Sequence, residues 1–396
     1  MIQHCPTPTE LDDLELLVSG AYAPLVRFNE PGSAVTLTLP KGAEEAELVD
    51  PEGLPLARVS ADGTLHPLAH AQYGPFRRLH LTPAQTRDQH AGATFVPVVD
   101  ALTESELDEL RGLGRVVLVA LMGTGTATLS PVALVRATLA AADLLDGAQV
   151  VAVPLPSHGD ADLDHELGAR VVATYAGPDP VHALADASAT TLDTRYPTAV
   201  AAIVEEDRPA PEEQGLVLFF TGLSGSGKST LARALMDLLL EQGGRSVTSL
   251  DGDVVRRHLS AGLTFSRADR ETNIRRIGWV AAEIARHGGV AVCSPIAPFA
   301  ETREQVREMV EAAGGAFFLV HVATPLEECE RRDRKGLYAK ARAGEILEFT
   351  GISSPYEEPD DPAVRVDTTG RSIPDALDDV LVALDKAGYL HLAGRA

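Results

Sequence analysis

One nine-residue segment constrains this chain more than any other part of its sequence. It reads Gly222-Leu223-Ser224-Gly225-Ser226-Gly227-Lys228-Ser229-Thr230 and matches the pattern G-x-x-x-x-G-K-[ST]. An apolar run, Leu216–Thr221, precedes it and predicts a buried strand, and a helix is predicted from Lys228 to about Glu241. Glycines in such a loop let backbone N–H groups surround a phosphate, and the helix N-terminus adds a partial positive charge. The segment therefore predicts a loop that holds the phosphates of a nucleotide.

The side chains of this loop predict ATP with Mg²⁺ as the bound species. Lys228 is expected to reach the β- and γ-phosphates, and Ser229 is expected to be a ligand of the Mg²⁺ ion. The predicted ATP-binding residues are Gly222, Gly225, Ser226, Gly227, Lys228, Ser229 and Thr230. The motif leaves the acceptor of the phosphoryl group open.

The composition excludes several classes of partner. The chain has 396 residues, enough for two or three domains, and a formal net charge of −23, which disfavours nucleic acids and anionic membranes as partners. Its three cysteines, Cys5, Cys293 and Cys329, lie far apart, so we expect a reducing compartment with neither a disulfide framework nor a zinc site. The N-terminus shows no signal-peptide pattern, and the predicted location is cytoplasmic.

The acidity is concentrated away from the phosphate loop. Residues 1–205 carry 27 acidic and 11 basic side chains, a net charge of −16, and residues 206–396 carry the remaining −7. Local backbone dipoles and a few cations hold anionic ligands, so the overall acidity does not argue against an anionic substrate.

Residue patterns divide the chain into four segments. Residues 1–97 combine short apolar alternations, such as Ala34–Leu39, with turn signals, and they predict a small β barrel or sandwich. Residues 98–205 predict an α/β layer, and the polar, proline-containing residues 206–215 predict a linker. Residues 216–396 alternate strands and helices, which predicts a parallel sheet with helices on both faces.

Three further clusters in residues 216–396 are candidates for acceptor binding. Asp253, in Leu250-Asp251-Gly252-Asp253, follows a predicted strand, where a carboxylate can accept a proton; an Asp-Gly turn without chemistry is an equal alternative. Arg270 and Asn273 share one face of a predicted helix near Phe265, although a solvated helix with ion pairs is the usual alternative. The basic stretch at residues 331–342 predicts a mobile lid.

Six motifs, in their order and spacing, resemble adenylyl-sulfate kinase. They are GLSGSGKST, LDGDVVR, FSRADRETNIRR, PIAPF, RDRKGLYAKARAGEI and FTGISSPYE, within about 180 residues from Leu216 to the C-terminus. This family transfers a phosphoryl group from ATP to the ribose 3′-hydroxyl of adenosine 5′-phosphosulfate (APS), giving 3′-phosphoadenosine 5′-phosphosulfate (PAPS). The resemblance implies an enzyme of sulfate assimilation, with Mg²⁺ and ATP, that assembles as a homodimer.

The resemblance also implies roles for individual residues. Asp253 would position and deprotonate the 3′-hydroxyl, with Lys228 as the second catalytic residue, and Asp251 would have a supporting role. Phe265 and Phe349 would enclose the adenine, and Lys335 would contact the phosphosulfate or reach toward ATP. The APS-binding residues implied in this way are Asp253, Arg256, Phe265, Arg270, Asn273, Ile296, Ala297, Lys335 and Phe349.

One position departs from the commonest family pattern. Many members have serine where this chain has Ala297, and that serine has been discussed as a phosphorylated residue. Alanine cannot be phosphorylated, so a phosphoserine intermediate at this position is excluded, whereas direct in-line transfer from ATP needs none.

The N-terminal half resembles part of a second family. Residues 11–25, which include Asp12-Asp13-Leu14-Glu15, resemble the opening of ATP sulfurylase, where a PUA-like β domain begins. The Q-[TN]-R-N-P and H-x-G-H segments of an active sulfurylase are missing, and Gly123-Thr124-Gly125 is a weak nucleotide-loop signal. Residues 1–205 are therefore predicted to be a truncated, degenerate sulfurylase-like region without sulfurylase activity. Metal binding by the acidic segment around His158 and Asp164 is the less favoured interpretation beside a solvated turn.

Two alternative functions remain open from the sequence. The kinase-like half could be a regulatory module that senses PAPS or APS, or it could phosphorylate another nucleotide-like hydroxyl. The N-terminal half could serve assembly, or delivery of APS from a separate ATP sulfurylase.

Overall fold

The computed structural model describes residues 2–72, 74–125, 129–184 and 195–390, and the chain forms two compact units, Met1–Arg208 and Pro209–Ala396. Residues 391–396 of the predicted C-terminal domain lie outside the described residues. Within the described residues, no helix combines the length and the apolar character that crossing a membrane requires.

The N-terminal unit begins with a four-stranded sheet and two helices. The sheet has the order β1-β2-β3-β4, with β1 parallel to β2 and the other pairs antiparallel. Helix α1 starts after Thr7, whose side chain forms a capping box with Glu10. The elements are β1 Ile2–His4, α1 Pro8–Ser19, β2 Glu45–Val49, β3 Pro55–Ser60, β4 Leu65–Pro67, a 3₁₀ turn Arg77–Leu79 and α2 Pro83–His90.

The strand predicted over Ala34–Leu39 is wrong. The segment belongs to no sheet among the described residues. The side-chain amide of Asn29 bonds both the N–H and the carbonyl of Leu37, each at 3.0 Å, and so takes the place of a neighbouring strand. The described part of residues 1–97 is accordingly a single sheet with helices, and no barrel or sandwich closes there.

A three-stranded parallel sheet follows in the same unit, as the α/β pattern of residues 98–205 predicted. Its order is β5-β6-β7, and helices connect and cover the strands. The elements are β5 Thr94–Val98, α3 Glu104–Arg111, β6 Val116–Leu121, α4 Pro131–Ala142, β7 Gln149–Val153, α5 Ala161–Ala176 and α6 Thr198–Asp207.

The boundary predicted between residues 97 and 98 falls inside β5. Phe95 of β5, Val117 of β6 and Tyr175 of α5 are buried in one core with Leu16 of α1 and Leu48 of β2. A shared core joins the two predicted regions into one unit. The predicted linker also starts too early, because α6 continues through Asp207.

The C-terminal unit is the predicted parallel α/β structure. Its five strands have the order β12-β11-β8-β10-β9, and every pair is parallel. One core packs α7 and α13 against one face, and a second packs α9 and α10 against the other. The elements are β8 Leu216–Thr221, α7 Lys228–Gln242, β9 Val247–Leu250, α8 Gly252–His258, α9 Arg267–Arg286, β10 Val290–Cys293, α10 Ala300–Ala312, β11 Ala316–Val322, α11 Leu326–Arg332, α12 Leu337–Arg342, β12 Val364–Val366 and α13 Ile373–Lys386.

A buried polar network links three parts of the N-terminal unit. The imidazole of His158 lies between two carboxylates, with Nδ1 3.0 Å from Asp164 and Nε2 3.2 Å from Asp13. Tyr22 donates its hydroxyl to Asp13 at 2.6 Å, and the side chain of Asp13 is 1% exposed. The hydrogen bond to Asp13 is the main cause that raises the pKa of His158. His158 therefore links Asp13 of α1 to Asp164 of α5.

Asp12 is expected to make the N-terminal unit lose stability as the pH rises from about 4 to about 6. Burial raises the pKa of Asp12 from 3.8 to about 6, so between these values the folded unit holds a proton on Asp12 that the unfolded chain has released. Groups with raised pKa values stabilise the fold at low pH and lose that contribution as the pH passes their folded pKa. Hydrogen exchange of α1 and α5 in the full chain should therefore speed up over this range.

Asp12→Asn should flatten this pH dependence, whereas Asp88→Asn, at an exposed position on α2, should leave it unchanged. An Asp12→Asn profile as steep as the wild-type profile would contradict the assignment.

Candidate active site

The loop between β8 and α7 follows a path that its glycines make possible. Gly222, Gly225 and Gly227 have φ values of 145°, 77° and 101°. A Cβ on Gly222 would lie 2.4 Å from the carbonyl oxygen of Val322, and one on Gly225 would lie 3.1 Å from that of Cys329. The backbone thus packs against its neighbours where side chains have no room. The predicted phosphate loop lies at the carboxyl end of the central strand, where parallel sheets bind ligands.

Lys228 is buried at the start of α7. Its Nζ donates a 2.7 Å hydrogen bond back to the carbonyl of Leu223 in the same loop. Burial lowers the pKa of Lys228 to about 8. An anion placed against this ammonium group would favour its charged form, so the buried lysine is suited to a phosphate ligand.

Asp251 is the carboxylate closest to Ser229. It caps α8 and accepts hydrogen bonds from the hydroxyls of Ser229 at 2.9 Å and Ser294 at 3.0 Å, and from the N–H of Asp253 at 3.0 Å. Burial acts to raise the pKa of Asp251, but these bonds outweigh it and hold the pKa below the usual value. The result is an ionised carboxylate beside the Ser229 hydroxyl.

The contact between Asp251 and Ser229 was not predicted. The sequence indicated that Asp251 directly follows β9 and precedes the start of α8 by one residue, but its contact with Ser229 depends on how distant segments fold together.

Ser226, another residue of the loop, has a buried hydroxyl with no hydrogen-bond partner among the described residues.

Asp253 lies two residues further, on the first turn of α8. Its carboxylate forms a 2.5 Å ion pair with the Nζ of Lys335, which precedes α12. Both side chains are exposed, at 71% for Asp253 and 64% for Lys335. The structure therefore brings two predicted site residues together from segments 82 positions apart.

Arg256 and Phe265 form a second pair. The guanidinium of Arg256 stacks over the ring of Phe265, with 4.5 Å from Cζ to the ring centroid, and donates to the carbonyl of Thr264 at 3.1 Å. Phe265 itself is 66% exposed. A flat cation and a flat ring are thus available on the surface next to α8.

Arg270 and Asn273 lie on α9, as predicted. Both side chains are more buried than they would be on a solvated helix face, which was the alternative. Arg270 donates to the hydroxyls of Thr350 at 2.9 Å and Ser354 at 3.1 Å, which ties α9 to the segment after α12. Asn273 is 3% exposed, and its Oδ1 has no partner among the described residues. An unpaired buried amide oxygen is costly unless a ligand or water satisfies it.

Phe349 lies apart from Phe265. It is 9% exposed and packs edge-on against Tyr338 at a centroid distance of 4.9 Å. In the described residues the two phenylalanines make no ring contact with each other, so their joint role around adenine stays a prediction.

Hydrogen bonds from two side chains hold the backbone of the turn at Ile296 and Ala297. The carbonyl of Ile296 accepts from the Thr221 hydroxyl at 2.6 Å, and that of Ala297 accepts from Arg303 at 2.8 Å. Sequence reasoning missed Thr221 and Arg303, since an arginine on an amphipathic helix is usually a surface charge.

The chain is similar in sequence and in structure to known proteins. The sequence model of a family described as adenylylsulphate kinase matches residues 214–367. A sulfate adenylyltransferase from Aspergillus terreus is 47% identical over 194 residues, which are 49% of this chain and 34% of that protein. The chain thus spans 34% of the length of the curated relatives it matches.

Two solved structures are also similar to the chain. A hexameric APS kinase from Thiobacillus denitrificans is 28% identical with a TM-score of 0.72, covering 99% of this chain and 94% of that one. An APS kinase from Mycobacterium tuberculosis, solved with AMPPNP and APS, is 48% identical with a TM-score of 0.42, covering 43% of this chain and 98% of that one.

Gly222→Ala is expected to abolish nucleotide binding at this loop. The added methyl would lie 2.4 Å from the Val322 carbonyl, so the loop must leave its present path. Gly243→Ala is a matched control, because Gly243 also has a positive φ, 73°, but no atom lies within 4 Å of the added Cβ. Titration with a fluorescent ATP analogue should show binding in the control and none in Gly222→Ala. Equal affinities of the two variants would contradict the assigned loop geometry.

Proposed function

We propose that the chain transfers the γ-phosphoryl group of ATP to the 3′-hydroxyl of APS, giving ADP and PAPS, because residues 214–367 match the sequence model of the adenylylsulphate kinase family. The observation that carries the proposal is the convergence of Lys228, Ser229, Asp251 and Asp253 at the carboxyl ends of β8 and β9, the two strands that flank β10 in one parallel sheet. Phosphoryl transfer needs this combination of phosphate cradle, cation and carboxylates.

ATP binding is assigned to the loop that begins at Gly222. Backbone N–H groups and Lys228 would hold the phosphates, and the Ser226 hydroxyl, now without a partner, would gain one from the ligand. Lys228 would exchange its bond to the Leu223 carbonyl for phosphate oxygens.

The donor set at this edge fits Mg²⁺. The hydroxyl of Ser229 and the ionised carboxylate of Asp251 are oxygen donors within 2.9 Å of each other, and oxygen donors are what Mg²⁺ prefers. Ser229 would be a direct ligand, and Asp251 would hold a water of the ion. When bound, the ion offsets negative charge on the transferring phosphate.

Asp253 is proposed to accept the proton of the 3′-hydroxyl. An exposed carboxylate on the rim of the site can orient a hydroxyl and take its proton as the bond to phosphorus forms. Lys335 now pairs with Asp253 at 2.5 Å, so APS must displace it or share the carboxylate with it. We infer that Lys335 turns toward the phosphosulfate when APS binds.

APS binding is proposed for the surface between α8, α9 and the turn at residues 296–297. Phe265 and Phe349 would contact the adenine, and Arg256, Arg270 and Asn273 would contact polar groups of APS. The enclosed, unpaired Oδ1 of Asn273 supports its role, because a donor on the ligand would satisfy it. With Ala297 in place of serine, transfer is direct from ATP to APS.

The N-terminal unit is proposed to have no sulfurylase activity. It lacks the Q-[TN]-R-N-P and H-x-G-H segments whose cations would stabilise charge, so APS would come from a separate ATP sulfurylase in the cytoplasm. A homodimer is the assembly that the sequence resemblance implies. The relative from Thiobacillus denitrificans is hexameric, which makes a hexamer the second candidate for this chain.

The first test is release of ADP that depends on APS. With ATP and Mg²⁺, the full chain should form ADP only when APS is present. Tight APS binding without turnover would instead support a sensing module. Faster turnover with another nucleotide-like alcohol, such as 3′-dephospho-coenzyme A, would support a different acceptor.

Asp253→Asn should lower kcat by about 100-fold or more, since general-base catalysis contributes that much, while ATP affinity stays within about twofold because the loop is untouched. Asp237→Asn, at an exposed position on α7, is the matched control and should keep wild-type turnover. Near-normal kcat of Asp253→Asn would refute its role as the base.

A further inference from the structure

Ala297 has a backbone conformation that alanine rarely adopts. Its φ is 45°, and it is fully buried. A left-handed conformation brings Cβ too close to the following carbonyl, so a residue other than glycine keeps it only where the surroundings impose it. The structure must therefore contain groups that hold this turn.

Two buried side chains supply that support through the carbonyl groups of the turn. The Thr221 hydroxyl lies 2.6 Å from the carbonyl oxygen of Ile296 and 3.2 Å from that of Ala297. The Nη1 of Arg303 donates to the Ala297 carbonyl at 2.8 Å, and Arg303 is only 5% exposed. Both carbonyls of the turn are thus bonded to the framework below.

A third side chain completes the support. The hydroxyl of Tyr356 lies 3.0 Å from that of Thr221, and because the Thr221 proton goes to the Ile296 carbonyl, Tyr356 is the donor between them. Hydrogen bonds in such a chain strengthen each other. The Tyr356 ring stacks on His321 at a centroid distance of 5.8 Å, which fixes where its hydroxyl points.

The segment that carries Tyr356 is itself joined to the loop. The N–H of Glu357 donates to the Pro298 carbonyl at 2.8 Å, and the Glu357 carboxylate accepts from the N–H of Ala300 at 2.7 Å. These bonds give Tyr356 a fixed distance from the turn. The turn is therefore determined from two sides, by α10 through Arg303 and by the segment after α12.

The N–H groups of the turn differ in their access to a ligand. Among the described residues, neither the N–H of Ile296 nor that of Ala297 donates a hydrogen bond. Ala297 is fully buried, whereas Ile296 is half-buried. With its carbonyl bonded below, Ile296 keeps its N–H as the group that can bond an acceptor atom of a ligand.

We propose that Arg303, Thr221 and Tyr356 are positioning residues, which hold the turn at Ile296 and Ala297 in the strained shape that presents the N–H of Ile296 to APS. The inference rests on the proposed function, because it assigns the ligand of the turn to that reaction. None of the three residues needs to touch a substrate. They act through the backbone of the turn, so their loss should affect APS and spare ATP.

The test compares Arg303→Met with Arg307→Met in the full chain. Arg307 lies one turn later on α10, pairs with Glu304 and stacks on Phe317 at 5.0 Å, and makes no contact with the turn. Arg303→Met should raise the KM for APS by about tenfold or more, as displaced binding groups do, and leave the KM for ATP within about twofold. Arg307→Met should keep both values.

Two further variants separate positioning from general stability. Ala297→Gly removes the steric cost of the left-handed φ, so in the Arg303→Met background it should recover about fivefold or more of the lost APS affinity. Tyr356→Phe keeps the stack on His321, removes one donor and should raise the KM for APS by about threefold. If Arg303→Met fails to fold, Tyr356→Phe provides the test of the proposal by itself.

Several outcomes would overturn the proposal. They are an unchanged KM for APS in both Arg303→Met and Tyr356→Phe, equal increases for ATP and APS, or no recovery with Ala297→Gly. If the wild-type chain shows no APS-dependent turnover, the proposed function fails, and the positioning role falls with it.

Discussion

Between β8 and α7 the backbone at Gly222 runs where no Cβ would fit, and the position of the candidate site follows from this close packing. At Gly222 the loop lies against the Val322 carbonyl at the end of β11, and at Gly227 it lies against Thr368 beyond β12. The loop is thereby fixed to two neighbouring segments of the sheet as well as to its own strand. The loop and the start of α7 then lie at the carboxyl edge of the sheet, where a helix N-terminus stabilises an anion.

The other side chains of the site reach this space because all five strands are parallel. Strand β9 ends at Leu250 and delivers Asp251 next to Ser229, while β10 ends at Cys293 and delivers Ser294 to the same carboxylate. The turn at Ile296 and Ala297 continues from β10 and is fixed by Thr221 at the end of β8. The proposed nucleotide-binding side and the proposed acceptor-binding side of the site are therefore both positioned by the carboxyl edge of the same sheet. The segments that carry Lys335 and Thr350 contact it through the side chains of Asp253 and Arg270.

The sequence predicted those parts of the site whose residues lie close together in the chain. The apolar run of β8, the glycines and Lys228 lie together in the chain, so strand, loop and helix could be predicted with bounds that the structure confirms. The pairing of Asp253 with Lys335 and the burial of Arg303 depend on contacts between distant segments, and nothing near those residues in the sequence indicates them. In the N-terminal unit, alternation over Ala34–Leu39 predicted a strand, but the amide of Asn29 satisfied the backbone instead. A pattern of apolar residues does not show that a side chain will bond the backbone in place of a neighbouring strand.

The position of the new phosphate on the product tests the central claim most directly. The full chain, ATP, Mg²⁺ and APS should be combined, and the product examined by ³¹P nuclear magnetic resonance with coupling to the ribose protons. The account predicts one new phosphomonoester, on the 3′-oxygen of APS, in an amount equal to the ADP formed. ADP formed without a phosphorylated APS product, or a phosphate at any other position, would contradict it.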